Sequence, residues 1–276
     1  TIYNGDGSAY QVAQKQPMKL AAMEGLYNGQ TQAPLVAIGF LNPHEKIMNN
    51  EVEPLKYNVN IPYALSFLGF RDINAFVPGI NDILKGGYTQ RDGTIALSTK
   101  EKMERGKLAI LALSDYKKAK ADGNTYMQDK NLKILEANYD NFGYGFLKDE
   151  KDIIPNVSLT FYAFRFMVIF GSAFLGLFAL LSYMSFKNIP YEKYKLLLWS
   201  CVFSIPLAYM VSQSGWIVAE VGRQPWVIQD LMPTSAAVSA VSSNSVITTF
   251  IIFCVLFTVM LIAELSIMFK QIKKGF

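Results

Sequence analysis

The chain has 276 residues, of which 51% are hydrophobic, 13% aromatic and 17% charged, against about 25% charged in an average soluble domain. This composition excludes a disordered chain, and the absence of a G-X-Y period or a cysteine-rich framework excludes collagen and disulfide-stapled scaffolds. Cys201 and Cys254 both lie in apolar stretches, and a single histidine, His44, is too few for a zinc site of the usual kind.

The net charge of +4 is unevenly distributed along the chain. Residues 1–156 contain 18 Lys and Arg and 18 Asp and Glu, whereas residues 157–276 contain 8 and 4. The surplus basic residues flank apolar runs instead of forming a patch on a polar domain, which favours membrane topology and excludes nucleic acid as a partner. The chain begins at Thr1 without a signal-peptide pattern, which is consistent with the later part of a longer protein.

Residues 1–156 are expected to form a partly folded, mostly helical domain. The segment MKLAAMEGLYNG predicts a short helix that ends at Gly29, and LVAIGFLNP predicts an apolar strand or loop that ends at Pro43. The segment YALSFLGF, which follows Pro62, is apolar enough to lie against the membrane or a partner.

A helical hairpin is predicted in the second half of this domain. Ser98 and Glu101 form a capping-box pattern ahead of the helix KMERGKLAILALSDYKKAKA. After an Ala-Asp-Gly-Asn turn, a second helix is predicted from about Thr125 to Asn138. The charged face of the hairpin is interpreted as solvated, and it includes Lys117, Lys118 and Lys120.

Three membrane-spanning helices are predicted in residues 157–276, at about 160–186, 196–219 and 246–269. The first contains 21 uncharged residues between Arg165 and Lys187, which as a helix extend about 31 Å and therefore cross the hydrocarbon core. The second is expected to be kinked at Pro206, and the third carries Glu264 near its end.

The basic residues beside the spans predict their orientation. Three lysines lie between the first and second spans and three follow the third: Lys187, Lys193, Lys195, Lys270, Lys273 and Lys274. The ends of the spans beside these lysines are predicted to be cytoplasmic, which places residues 1–156 outside the cytoplasm. The predicted fold class is an all-α membrane protein, with three transmembrane helices of a larger bundle and a mostly helical extracytoplasmic loop domain.

The ionisable residues near lipid are the first candidates for chemistry, because each requires a partner there. Arg165 and Met167 stand about 200° apart around the first helix, so they could serve one ligand only if it were large and flat. The sulfur of Met167 would then bind a metal while Arg165 neutralised a carboxylate at the ligand edge. The simpler alternative is an interfacial arginine and a packing methionine.

The run GWIVAEVGRQPW, residues 215–226, holds the densest group of candidates. Trp216 and Glu220 share one helix face, and Arg223 lies one turn further. Glu220 could pair with Arg223, bind a metal or relay protons, and a Glu–Arg pair at the end of a span is the commonest structural outcome. Glu264 could equally be a paired acid of the bundle or a proton-path residue.

These runs resemble subunit I of the cytochrome bd-type quinol oxidases, in its C-terminal part with the quinol-side loop. The resemblance covers most of the chain and is poor only from about Gln30 to Asp140. It rests on YAFRFMV at 162–168, on GWIVAEVGRQPW followed by LMPTSAAVS, on MKLAAMEGLY at 18–27 and on GYGFLKD at 143–149.

The resemblance implies a substrate and a set of haem ligands. Lys19 and Glu24 would contact or deprotonate quinol. Met167 would bind the iron of a low-spin haem b together with a histidine, and Arg165 would stabilise the propionates of that haem. The second site would hold a high-spin haem b and either a haem d or a second high-spin haem b. Glu220 would be a ligand to one iron there, with Trp216 and Arg223 in its close surroundings.

The resemblance also implies partners, because the histidine ligands and proton-channel glutamates of the family lie on four earlier helices. His44 cannot replace them. The expected partners are the N-terminal half of subunit I, in the same or a separate chain, subunit II of the oxidase, a small accessory subunit in some members, and the lipid bilayer.

The expected function is that of a respiratory terminal oxidase of the bacterial inner membrane, with the C-terminus in the cytoplasm. It would oxidise quinol and reduce oxygen to water with three haems, generating proton motive force. The alternative is a non-enzymatic binding or assembly domain outside the cytoplasm that three helices tether to the membrane.

Overall fold

The computed structural model describes residues 2–42 and 55–274. His44 and Pro43, the predicted end of the apolar strand, lie outside the described residues. By its internal contacts the chain divides into two compact units, Thr1–Ala237 and Val238–Phe276. The domain boundary after residue 156 stays a prediction.

The first unit is mostly helical. Its helices are α1 (Ile2–Lys15), α2 (Pro17–Glu24), α3 (Ala64–Phe70), α4 (Ile80–Lys85), α5 (Thr99–Ala121), α6 (Thr125–Asn138), α7 (Val157–Phe186) and α8 (Lys195–Val221). Short 3₁₀ helices run over Tyr139–Phe146, Glu150–Ile153 and Tyr191–Lys193. The second unit contains the helix α9 (Ser243–Lys274).

The strands of the first unit form small antiparallel ribbons. They are β1 (Gln30–Thr31), β2 (Leu35–Leu41), β3 (Leu55–Ile61), β4 (Phe76–Val77), β5 (Trp226–Ile228) and β6 (Met232–Pro233). β1 pairs with β4, β2 with β3, and β5 with β6. The apolar segment for which the sequence left strand or loop open is therefore the strand β2.

The three predicted spans are confirmed as long apolar helices, since α7, α8 and α9 each have the length and composition to cross a membrane. α7 starts three residues before its predicted start and ends at its predicted end, whereas α8 and α9 extend one to five residues beyond both predicted ends. α8 continues through Pro206, and a kink there stays a prediction. α7 and α8 are joined by a short connection and pack against each other, so residues near the start of α7 lie beside residues near the end of α8.

The predicted hairpin is confirmed as α5 and α6. Glu101 N donates to Ser98 Oγ at 3.2 Å and Ser98 N to Glu101 Oε2 at 2.9 Å, which completes the capping box. α5 also approaches the 3₁₀ helix Tyr139–Phe146 very closely, because a Cβ on Gly106 would lie 2.3 Å from Gly145 N. The three lysines of the predicted solvated face are exposed.

The predicted end of the first apolar helix at Gly29 is wrong. α2 ends at Glu24 because Gly25 adopts the left-handed conformation, with φ of 63°, and its amide caps the helix. Gly29 instead donates its amide hydrogen to the Asp82 carboxylate. The backbone therefore turns four residues earlier than expected, which leaves Glu24 as the last residue of α2.

The segment that follows α8 packs against the 3₁₀ helix Tyr139–Phe146 through an aromatic and polar cluster. The rings of Tyr144 and Trp226 lie 4.9 Å apart between centroids, and Tyr144 donates its hydroxyl hydrogen to Asp230 Oδ1 at 2.8 Å. Burial raises the pKa of Tyr144 well above its usual value, and the Asp230 carboxylate adds to the rise. These contacts fix the position of the segment that follows the last turn of α8.

Candidate functional site

α2 lies across the neighbouring ends of α7 and α8 and contacts both helices. The side chains that meet there are Lys19 and Glu24 of α2, Arg165 of α7, Glu220 of α8 and Arg223, just after α8. We call this group the α2–α7–α8 junction. Every ionisable side chain in it is one of the residues that the sequence selected.

Arg165 and Glu24 form a buried ion pair at the junction. Arg165 Nη2 donates to Glu24 Oε2 at 2.7 Å and to the Val36 carbonyl oxygen at 3.1 Å, and Nη1 donates to the Met23 carbonyl oxygen. The two side chains are 6% and 2% exposed, and the guanidinium carbon lies 3.9 Å from the centroid of the Phe161 ring. Burial raises the pKa of Glu24, while the Arg165 cation lowers it.

Lys19 extends from the opposite side of α2 to the end of α8. Its Nζ donates to the Ala219 carbonyl oxygen at 3.3 Å, and its Cγ lies 3.2 Å from where a Cβ on Gly222 would be. Burial and the nearby Arg223 cation lower the pKa of Lys19, and the Glu220 carboxylate raises it. Lys19 and Glu24 are five residues apart, which on a helix corresponds to about 140°, and this separation lets α2 contact two helices at once.

Glu220 and Arg223 form the ion pair that the sequence favoured as the commonest outcome. Arg223 Nη2 donates to Glu220 Oε2 at 2.6 Å, and the side chains are 36% and 40% exposed. An exposed pair of this kind contributes about 0–1 kcal/mol to stability. Trp216, one turn earlier on the same face of α8, is largely exposed, so this face remains accessible to a ligand.

Met167 lies between α7 and α8 and is partly buried. Its Sδ would lie 3.1 Å from a Cβ on Gly215, so the missing side chain at residue 215 leaves room for the sulfur. Arg165 contacts α2 and β2 while Met167 contacts α8. The two side chains therefore leave α7 in different directions, in keeping with their predicted separation of about 200°.

Comparison over the whole chain identifies the family. Residues 1–276 match the family model described as cytochrome bd terminal oxidase subunit I. The chain belongs to that family.

Relatives of this cytochrome bd subunit I chain agree with the assignment. It is 28% identical over 293 aligned residues to the cytochrome bd-II ubiquinol oxidase subunit 1 of Escherichia coli (strain K12), covering 100% of this chain and 52% of that protein. It is 25% identical over 277 residues to the cytochrome bd ubiquinol oxidase subunit 1 of Bacillus subtilis (strain 168), with 99% and 45% covered. The chain spans about half the length of the curated relatives it matches.

A solved structure supports the fold. The chain aligns with a chain of the bd oxidase from Geobacillus thermodenitrificans with a TM-score of 0.57 and 23% identity, covering 99% of this chain and 46% of that one. At this identity the likeness concerns the fold alone.

The residues of this subunit I chain fit a haem at the junction by their donor chemistry. Met167 offers a thioether and Glu220 a partly exposed carboxylate, and the Trp216 indole presents a flat apolar surface. Nε of Arg165 and Nε of Arg223 are buried N–H donors with no hydrogen-bond partner among the described residues. They suit carboxylates such as haem propionates.

The sequence did not predict two features of the junction, namely the Arg165–Glu24 pair and the contact of Lys19 with α8. The residues of the ion pair are 141 positions apart, so no spacing rule connects them. The sequence did contain one signal for the ion pair. Arg165 near lipid requires a partner, and Glu24 is a lone acid at the end of an apolar helix.

Proposed function

We propose that this chain forms the C-terminal half of subunit I in a membrane-bound quinol oxidase that passes electrons from quinol to oxygen. One observation carries the proposal. The junction brings Lys19 and Glu24, the residues predicted to act on quinol, against the two helices that carry Met167 and Glu220. This arrangement supports the proposal, because the residues proposed for quinol and those proposed for haem lie in one small region.

The haem irons supply one-electron transfer and oxygen reduction when bound. Met167 would hold the iron of a low-spin haem b, and Glu220 would hold the iron of one high-spin haem. A thioether ligand favours reduced iron, which suits an acceptor for electrons from quinol. Arg165 and Arg223 would each offer Nε to a propionate, and Trp216 would offer an apolar surface to a haem.

Lys19 and Glu24 act on the quinol in this proposal. Oxidation of a quinol releases two electrons and two protons, so a base near its hydroxyl groups assists the reaction. Glu24 suits this role because burial raises the pKa of its carboxyl group, which brings its proton affinity closer to neutral pH. Lys19 binds a quinol oxygen through Nζ.

The proposal includes charge separation across the bacterial inner membrane. Residues 1–156 lie outside and the C-terminus inside, as the lysines beside the spans predict. Protons leave quinol on the outer side, and protons for water formation come from the cytoplasm, which generates proton motive force without a pump. The remaining ligands come from the N-terminal half of subunit I, with subunit II and, in some complexes, a small accessory subunit as partners.

The test uses membranes that contain the chain with its natural partners. We expect Met167→Leu to remove the low-spin haem band from the reduced-minus-oxidised spectrum, and Glu220→Ala to remove or shift a high-spin band. Quinol-dependent oxygen uptake is lost in both variants. Met184→Leu, at a buried methionine farther along α7, and Glu192→Ala, at an exposed acid between α7 and α8, are matched controls.

If both test variants keep wild-type bands and oxygen uptake, the haem assignment is wrong. The non-enzymatic alternative would then apply, because the Arg165–Glu24 and Glu220–Arg223 pairs already satisfy these charges within the chain.

A further inference from the structure

We propose that Lys19 is a positioning residue for the end of α8, where it fixes the last helical turn and thereby the carboxylate of Glu220. The proposal rests on the proposed function, because it takes Glu220 as a haem ligand. It assigns Lys19 a role toward the high-spin haem site that is separate from any contact with quinol.

The carbonyl groups of the last turn of α8 support this role. A helix leaves its last four carbonyl oxygens without intrahelical donors. Three of the four in α8 accept hydrogen bonds from residues that directly follow the helix. Val218 O accepts from Gly222 N. Gln224 donates to the other two, from its side chain to Glu220 O and from its backbone amide to Val221 O. The fourth, Ala219 O, accepts from Lys19 Nζ, which is 200 residues away in sequence.

The aliphatic part of Lys19 is packed against the same turn. Gly222, the C-cap residue of α8, is buried. A Cβ at this position would lie 3.2 Å from both Lys19 Cγ and Thr160 Cγ2. The aliphatic part of Lys19 therefore lies beside the last turn of α8 and close to the first turn of α7, while its ammonium group bonds to Ala219 O.

The contact of Lys19 with the end of α8 also has an electrostatic effect. The C-terminal end of a helix carries partial negative charge, so an anionic side chain such as Glu220 is unfavourable there. Lys19 and Arg223 place two cations beside it, and both interact with Glu220 in the folded chain. Since Arg223 binds the carboxylate directly, Lys19 acts on the backbone that carries it.

α2 therefore connects the two proposed sites. Its residue Glu24 is held by Arg165 of α7, and its residue Lys19 holds the turn that bears Glu220. A change at Lys19 should accordingly alter the surroundings of the high-spin haem even when no quinol is present.

The test compares Lys19→Met with the matched control Lys15→Met in the oxidase complex in membranes. Lys15 is an exposed lysine at the end of the neighbouring helix α1. The measurement is the haem spectrum, optical and by electron paramagnetic resonance, in samples reduced chemically without quinol. We expect Lys19→Met to shift or lose the high-spin bands while the low-spin band of the Met167 haem stays, and Lys19→Arg to restore them.

A wild-type high-spin spectrum in Lys19→Met overturns the inference, even if quinol turnover is lost, because Lys19 would then serve quinol alone. If Lys19→Met loses both the high-spin and the low-spin bands, the haem spectrum of Lys19→Gln decides whether Lys19 has a positioning role. A selective high-spin change in Lys19→Gln supports the positioning role, and joint loss of both bands contradicts it. Failure of the proposed function is distinct, since Met167→Leu and Glu220→Ala would then both keep the wild-type haem bands, whatever the result for Lys19→Met.

Discussion

Arg165 is held by more protein groups than any other charged side chain of the junction. Its terminal nitrogens bind the Glu24 carboxylate and two carbonyl oxygens, and its guanidinium lies over the Phe161 ring. Removing two charges from water is costly, so such a pair adds less stability than its short distance suggests. Removing only one partner, however, leaves the other charge buried and unpaired.

This asymmetry predicts the effect of single and double substitutions. Glu24→Gln and Arg165→Met should each lower the free energy of unfolding by about 3–5 kcal/mol. The double variant should lose much less than the sum of the two, because no unpaired charge remains. Denaturant titration in detergent, followed by circular dichroism, measures all three.

Asp115→Asn is the control for that series, since it breaks the exposed Lys118–Asp115 pair. Its effect should be about 0–1 kcal/mol. Single variants of the buried pair that are no worse than Asp115→Asn would contradict the interpretation.

The sequence was sufficient to select the candidate residues, but it did not predict which of them contact each other. Lys19, Glu24, Met167 and Glu220 lie in short runs whose composition is distinctive. The contacts at the junction depend on how α2 is placed against α7 and α8, which is decided by long-range packing. Only the local pair of Glu220 with Arg223, three residues apart at the end of α8, could be predicted from a spacing rule.

At the scale of elements, the start of α5 could be predicted from the sequence and the end of α2 could not. The α5 start carries a capping box, whose two residues bond to each other and need no other part of the chain. The end of α2 was predicted at Gly29, but the amide of Gly29 is bound by Asp82, which is a tertiary contact that the local sequence does not show. The strand β2 was ambiguous because a short apolar run fits either conformation.

The close packing of α5 on the 3₁₀ helix Tyr139–Phe146 predicts opposite effects for two glycine substitutions. Gly106→Ala should destabilise the protein by about 1–3 kcal/mol, because its Cβ would overlap the backbone of residue 145. Gly7→Ala, within α1 and with nothing inside 4 Å of its Cβ, should stabilise by about 0.5–1 kcal/mol. Thermal unfolding of the two variants checks this, and an equal shift in both would refute the packing argument.

For the whole molecule, the lysines beside the spans predict which side of the membrane each segment occupies. The apolar lengths alone establish that α7, α8 and α9 can cross a membrane, and they carry no information on direction. The six lysines that follow the first and third spans do carry it. The orientation is therefore predicted from charge alone. The lengths of the helices neither support it nor contradict it.

Cysteine labelling tests that orientation. In a chain with Cys201→Ala and Cys254→Ala, a new cysteine at the exposed Ser114 of α5 should react with a membrane-impermeant maleimide added to intact spheroplasts. A cysteine at the exposed Glu192, between α7 and α8, should react only after the membrane is opened. The reverse pattern would invert the topology and would place the proposed quinol site in the cytoplasm.

The pairing of Glu24 with Arg165 bears on the order in which the protein is made. Glu24 leaves the ribosome 141 residues before its counter-charge, so its carboxylate cannot be buried as an ion pair until translation has reached α7. The carboxylate of Glu24 therefore stays without this partner while the residues between α2 and α7 are synthesised. Synthesis of the start of α7 is the event that allows α2 to make this buried contact.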